Sequence, residues 1–203
     1  MLDKNLLLVD IGGTNIRYAY SNIGDSDFVS ENKAELDSLN DFYNLMSELL
    51  AEADVKNIVF SVAGPKVNNS IKMTNRNFEI DADEIRKRFN LESCYLLNDW
   101  ESIGYSIRTF SENDFDNFKE GQPFNDTFLV IGPGTGLGAS VISGNNVIAT
   151  EIGNTNLGLS ALKSLLEINS DEFNVLEDVI SGTGISRMFE TKTGNKVKSE
   201  EIF

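Results

Sequence analysis

Two glycine-rich segments carry the clearest chemical signal in this sequence: Asp10-Ile11-Gly12-Gly13-Thr14-Asn15 and Gly132-Pro133-Gly134-Thr135-Gly136-Leu137-Gly138. Glycine lets backbone N–H groups converge with no Cβ in the way, so each segment is a natural seat for a phosphate. Each reads equally well, taken alone, as a plain hairpin turn. Gly134-Thr135-Gly136-Leu137-Gly138-Ala139 also satisfies the dinucleotide string G-x-G-x-x-G/A. That fingerprint should open a helix, whereas the run that follows here, through Val141 and Ile142, is β-branched. No G-x-x-x-x-G-K-[ST] occurs, which excludes P-loop chemistry. Asp10 ends an apolar run beside the first glycine turn, where a Mg2+ ion would be held directly or through water; an aspartate satisfying turn N–H groups is the alternative. Asn98-Asp99 follows a second apolar run and precedes a helical pattern. A helix cap explains that pair, and so does a general base aimed from the C-terminal end of a strand.

Composition removes several other chemistries. There is no histidine, which excludes Ser-His-Asp and Cys-His catalysis and all histidine metal sites. The single cysteine, Cys94, lies in the apolar run Cys94-Tyr95-Leu96-Leu97 and reads as a buried structural thiol. Lys and Arg number 17 against 32 Asp and Glu, a net charge of −15 with no basic run. Such a chain is unsuited to gripping nucleic acid or an anionic membrane, so any phosphate must be held by local dipoles or a metal. No apolar stretch approaches the ~18 residues of a membrane span and the N-terminus lacks a basic leader, so a cytoplasmic protein is expected.

The elements that must position these residues alternate between strands and helices. Leu6–Val9 and Ile16–Ser21 flank the first glycine turn as a hairpin. Ser38, with Asp41 three residues on, starts a helix whose apolar residues Leu39, Phe42, Met46, Leu49, Leu50 and Ala53 keep helical spacing. A buried strand at Ile58–Ala63, a helix near Ala82–Phe89, a buried strand at Tyr95–Leu97 and a helix from about Trp100 to Thr109 follow. The polar stretch Ser111–Asp126 is the best boundary, giving expected lobes at 1–109 and 110–203. Beyond it strand, glycine turn and strand recur, with Pro133-Gly134-Thr135 against Gly12-Gly13-Thr14. The repeat suggests two similar α/β lobes whose turns face one cleft. Helices are expected at Ser160–Ile168, Asp171–Ile180 and Ile185–Thr193. Too few strands follow to complete a second sheet like the first, so the second lobe is expected to be cut short, with exposed apolar surface.

The order of Asp10-Ile11-Gly12-Gly13-Thr14-Asn15, Met73-Thr74-Asn75, Leu97-Asn98-Asp99, Gly132–Gly138, Glu151 and Ser181-Gly182-Thr183-Gly184 resembles that of the bacterial glucokinases. Those are ATP-dependent hexose kinases of the actin-like (ribonuclease-H-like) ATPase fold, and the resemblance runs from about Leu6 to Glu201. It implies two α/β lobes around a cleft, the second incomplete here, with glucose or a similar hexose and Mg-ATP as ligands. It further implies that Asp99 is the base taking the proton from the sugar 6-hydroxyl. Asn98, Glu151 and Glu177 would contact the sugar, and Asp10 would associate with Mg2+. Gly12, Gly13, Thr14 and Asn15, with Gly134, Thr135 and Gly136, would hold the nucleotide phosphates. A homodimer is a further implication.

Two departures accompany the resemblance. Asn154, in Glu151-Ile152-Gly153-Asn154, stands where the family has a histidine, which bears on the choice of sugar and not on the phosphate chemistry. Family members are also longer, so a truncated, non-catalytic sugar-binding or regulatory paralogue is the alternative expectation. The cysteine-rich motif of the related repressor-and-kinase branch has no counterpart in this sequence.

Overall fold

In a computed structural model of the chain, residues 2–12, 15–73 and 78–202 are described. They fall into two compact units, Met1–Ser102 and Ile103–Phe203. The division lies inside a helix, ahead of the boundary expected in the polar stretch after Thr109.

The first unit runs β1 (Leu6–Ile11), β2 (Asn15–Ser21), β3 (Val29–Glu35), α1 (Leu39–Glu52), β4 (Asn57–Val62), β5 (Lys66–Val67), β6 (Ser70–Lys72), β7 (Glu79–Asp81), α2 (Ala82–Arg88), β8 (Ser93–Asn98) and the start of α3 (Asp99–Ser106). Its main sheet has the order β3-β2-β1-β4-β8. β1 and β2 are antiparallel, with Gly12 N–H donating to Asn15 O at 2.9 Å, so the strands on either side of the first glycine segment pair as a hairpin. β1, β4 and β8 run parallel, with Ile11 opposite Val62 and Val62 opposite Asn98. Alternation in β1 buries Leu7, Val9 and Ile11 against α1, which sends Phe42, Met46 and Leu49 inward. Ser38 caps α1 as expected, its Oγ accepting Asp41 N–H at 3.2 Å. Cys94 joins this core, and burial pushes its thiol up to about 12, the inert state read from its apolar neighbours. β5, β6 and β7 make a separate small antiparallel sheet.

In the second unit β9 (Thr127–Pro133), β10 (Leu137–Ser143) and β11 (Asn146–Thr150) form an antiparallel sheet with β10 central. α4 (Leu159–Leu165), α5 (Glu177–Ile180) and α6 (Gly182–Thr193) follow. Leu137, Leu159, Ile168, Phe173, Leu176 and Val179 supply the core. Phe128, Leu129 and Ile131 on β9 and Ile148 on β11 are exposed, as expected for this half of the chain. Among the described residues no helix is long and apolar enough to cross a membrane.

Several elements differ from expectation. Asp171–Leu176 is not helical, because the Asp178 carboxylate accepts the N–H groups of Asn174 and Val175 at 2.8 and 3.0 Å and turns the chain there, leaving only the single turn α5. The helix expected to reach Thr109 ends at Ser106 and tightens into a 3-10 turn, Ile107–Thr109. β3, the β5–β7 sheet and β11 add strands that periodicity does not announce: β3 is a polar, exposed edge, and β5–β7 are two or three residues long.

Gly104 of α3 is buried where helix and sheet approach closely. A Cβ there would lie 2.5 Å from Val147 Cγ1 and 2.7 Å from Ser140 Oγ. Ser140 Oγ is itself buried without a hydrogen-bond partner, alone in this among the described side chains. Gly104→Ala is expected to lower stability in urea unfolding by about 1–3 kcal/mol through overpacking, more than the ~1 kcal/mol that alanine gains in a helix. Ser140→Ala removes an unsatisfied hydroxyl and should be neutral or stabilising, by up to about 1 kcal/mol.

Candidate functional site

In the first unit the parallel register delivers the C-terminal ends of β1, β4 and β8 to one sheet edge, bringing Asp10 and Asn98-Asp99 to the same side. Asn98 closes β8 and caps α3. Its Oδ1 accepts the N–H of Trp100 at 2.9 Å and of Glu101 at 3.4 Å, and its Nδ2 donates to Gly64 O at 2.8 Å. Asp99 is half-buried, its Oδ1 sharing the Trp100 N–H at 3.0 Å. Burial pushes the Asp99 carboxyl above the ordinary aspartate range, and the nearby charge of Asp10 adds to this. The N–H groups of Trp100 and Asp99 and the Asn98 side chain oppose the shift without cancelling it. Asp10 reaches Arg17 at 3.5 Å in a solvent-exposed pair that contributes little.

Gly13, Thr14, Thr74 and Asn75, all singled out in the sequence, lie outside the described residues. Among the described residues no three His, Cys, Asp or Glu side chains gather as a metal site. Asp10, with the Asp99 carboxyl nearby, suits Mg2+, which keeps several waters and takes one or two carboxylates besides phosphate oxygens.

In the second unit the glycine segment closes the β9–β10 hairpin, Gly134 N–H donating to Gly136 O at 2.9 Å. The second glycine run packs directly against it: Gly182 N–H donates to Gly134 O at 2.8 Å, and Thr183 Oγ1 donates to Thr135 O at 2.9 Å. Ser181 caps α6 through Gly184 N–H, so the start of that helix lies beside the turn. Together Pro133, Gly134, Thr135, Gly182, Thr183 and Lys198 help line a cavity of about 610 Å³, within the size range of small-molecule sites.

Glu177 fastens the turn from below. Its Oε2 accepts Leu137 N–H at 2.7 Å, and a Cβ on Gly136 would sit 2.5 Å from that same oxygen, so a side chain there would displace the carboxylate from its bond. Glu151 precedes and Asn154 ends the short turn Ile152–Asn154, whose buried Gly153 packs on Leu137. Both are exposed, and Asn154 Nδ2 donates to Glu151 Oε2 at 3.2 Å.

The structure thus brings Asp10, Asn98 and Asp99 together in one unit, and Gly134, Thr135, Gly136, Glu151, Asn154 and Glu177 in the other. Sequence reasoning overlooked Glu101, although Asn98-x-x-Glu101 is a capping-box spacing. It also overlooked Lys66 and Lys198, whose places depend on tertiary contacts that no local pattern signals.

Two expectations test this geometry. Glu177→Ala should speed hydrogen exchange at the Leu137 amide and cost about 1–3 kcal/mol, the desolvation penalty of an N–H left unpaired, while Glu177→Gln retains an acceptor and most of the stability. Asp99→Asn should stabilise the fold at neutral pH. The Asp99 carboxyl has its folded pKa above its unfolded value, so its stabilising contribution is full below the unfolded pKa and is lost as pH rises through the folded one. The variant's advantage in urea unfolding should therefore be present near pH ~7 and vanish near pH ~3, where the native aspartate is protonated in both states.

The family described as Glucokinase matches residues 7–202. A glucokinase from Nostoc punctiforme is 29% identical over 212 residues, covering 96% of this chain and 62% of that protein. One from Neisseria gonorrhoeae is 28% identical, covering 93% of this chain and 61% of its own length. The chain therefore spans somewhat less than two thirds of such relatives. Among solved structures, a glucokinase from an Antarctic psychrotroph superposes over 100% of this chain and 70% of its own, with a TM-score of 0.74 and 24% identity. A ROK family glucokinase from Streptomyces griseus, in complex with glucose and AMPPNP, covers 93% of this chain and 62% of its own, with a TM-score of 0.59 and 20% identity. The fold these structures share is the α/β, actin-like ATPase fold expected from the sequence, and the chain belongs to the glucokinase family.

Proposed function

We propose that this chain forms the working part of a hexose kinase that transfers the γ-phosphoryl group of ATP to the 6-hydroxyl of glucose or a similar sugar, with Asp99 as general base. The observation that carries the proposal is the setting of Asp99: half-buried at the C-terminal edge of a parallel sheet, its carboxyl pushed up by burial, its neighbour Asn98 bonded in place. Ligands of open α/β sheets bind at that edge, and a base with a raised pKa accepts a proton more readily. Family membership and the glucose and AMPPNP of the Streptomyces griseus neighbour support a sugar and a nucleotide as the two ligands.

In this reading Asp99 takes the hydroxyl proton as the sugar oxygen forms its bond to the γ-phosphorus, and the bond from that phosphorus to the ADP oxygen breaks. Asn98 has one Nδ2 hydrogen beyond its bond to Gly64 O, a donor for a sugar hydroxyl. Glu151 and Asn154, paired and exposed, offer Glu151 Oε1 and Asn154 Oδ1 as acceptors for others. Glu177 was expected on the sugar; with Oε2 given to Leu137 N–H, it serves the turn first and has Oε1 for a hydroxyl.

Phosphates would lie on Gly134, Thr135 and Gly136, where the N–H groups of Thr135 and Gly136 meet no protein acceptor among the described residues. The cavity that Lys198 helps to line extends from there. Gly12, Gly13, Thr14 and Asn15 are proposed as the second phosphate loop. Asp10 would hold Mg2+, directly or through water, and the ion supplies charge neutralisation at the phosphates when bound.

A coupled assay with glucose and Mg-ATP, run on the protein that carries this chain, tests the proposal. Asp99→Asn should lower kcat by about 10²–10⁴ while calorimetry still shows glucose binding. Turnover that survives the substitution would remove Asp99 as the base.

A further inference from the structure

Of the ion pairs among the described residues, Lys66–Glu101 is the most withdrawn from water, the two side chains being 27% and 10% exposed. Lys66 Nζ lies 3.4 and 3.3 Å from Glu101 Oε1 and Oε2. Oε2 also accepts the backbone N–H of Asn98 at 3.1 Å. This second bond completes a reciprocal box: Asn98 Oδ1 accepts Glu101 N–H, and the Glu101 carboxylate accepts Asn98 N–H.

A capping box alone does not require a buried charge, because glutamine fills the same position with a neutral acceptor. Withdrawing two charges from water is costly and seldom repaid in stability. The pair therefore calls for a reason beyond ending a strand and starting a helix, and its neighbours supply one. Asn98 is gripped at every polar atom: N–H by Glu101, O by the Ser102 hydroxyl at 3.1 Å, Oδ1 by two N–H groups, and Nδ2 by Gly64 O. Asp99 is the next residue, and its Oδ1 competes with Asn98 Oδ1 for the same Trp100 N–H. A drift of Asn98 by a fraction of an ångström moves the Asp99 carboxyl with it. Lys66, carried on β5, ties that turn to the β5–β7 sheet.

We infer that Glu101, fastened by Lys66, is a positioning residue for Asp99: it locks the Asn98 peptide so that the neighbouring carboxyl is aimed before the sugar arrives. The inference rests on the reading of Asp99 as the base. Pre-aligned groups gain rate from geometry, and small misplacements cost it. Removing the lock should therefore lower turnover more than sugar affinity.

The experiment compares Glu101→Ala, Glu101→Gln and Lys66→Met with the unsubstituted protein, with Asp99→Asn alongside. It reads Asn98 amide hydrogen exchange by NMR together with kcat and the sugar KM. Glu101→Ala should accelerate Asn98 exchange about tenfold, the scale of a lost cap. It should lower kcat about tenfold and change KM less than about threefold. Glu101→Gln, whose amide oxygen can still accept the Asn98 N–H, should recover most of both. Lys66→Met, which leaves the carboxylate unfastened, should fall between. Asn98 exchange and kcat both within about twofold of the unsubstituted protein in Glu101→Ala overturn the inference, as does loss in which Glu101→Gln gives no recovery. Should Glu101→Ala not fold, the same unchanged pair of readings in Lys66→Met overturns it. Failure of the base reading has a different signature, turnover that persists in Asp99→Asn.

Discussion

Parallel pairing of β1, β4 and β8 is the constraint on which the first unit depends. Parallel neighbours cannot be joined by a tight turn, so the chain must return to the starting edge before each new parallel strand, through β2, β3 and α1 in one case and through β5–β7 and α2 in the other. All three strands then finish on one side, and their last residues face a shared edge. Asp10, Gly64 and Asn98 come from distant parts of the sequence and meet there for this reason alone. The register is enforced by the core: Leu7, Val9, Ile58, Phe60 and Leu96 are almost completely buried, and a slip of one residue would turn each of them outward and the strand-end groups inward.

The second unit reuses the hairpin and not the parallel edge. Its glycine turn is braced by hydrogen bonds from α6 and by the Glu177 carboxylate, so rigidity that the first unit draws from neighbouring strands is supplied here by side chains and a helix start. Glycine at Gly136 leaves the bracing carboxylate the space that a Cβ would take. The same glycines that suggest a phosphate loop thus also have a packing role in the turn.

What could be read from the sequence follows the range of the interaction. Both hairpins, α1 with its Ser38 cap, α2 with its Asp81 cap and the strand before Asn98-Asp99 are written locally, in alternation, helical spacing and capping residues. β3 was invisible because an exposed edge needs no apolar stripe, and β5–β7 because two or three residues hold no period. The helix expected over Asp171–Ile180 fails on a local competitor, Asp178, whose side chain takes N–H groups that a helix would pair with carbonyls. Glu101 was within reach of a motif reading. Lys66, 35 residues away, and the hold of Glu177 on Leu137, 40 residues away, were not, since nothing short of the tertiary fold places them together.

In a chain with a net charge of −15, acidic residues are too common to mark a site by themselves; their surroundings separate them. Asp178 is pushed up by burial, yet the N–H groups of Asn174 and Val175 and the guanidinium of Arg187 hold its carboxyl below the usual range. It is a carboxylate whose charge is consumed by structure. Glu101 has its oxygens occupied by Lys66 and the Asn98 N–H, and it too is spent. Asp99 shares the first turn of α3 with Glu101, where helix dipoles and N–H groups favour negative charge, and still burial and Asp10 drive its carboxyl upward. Two acids in one helical turn thereby sit in opposite surroundings. The charge of Glu101 is matched by Lys66 and the Asn98 N–H, whereas the N–H groups and the Asn98 side chain around Asp99 do not offset its burial.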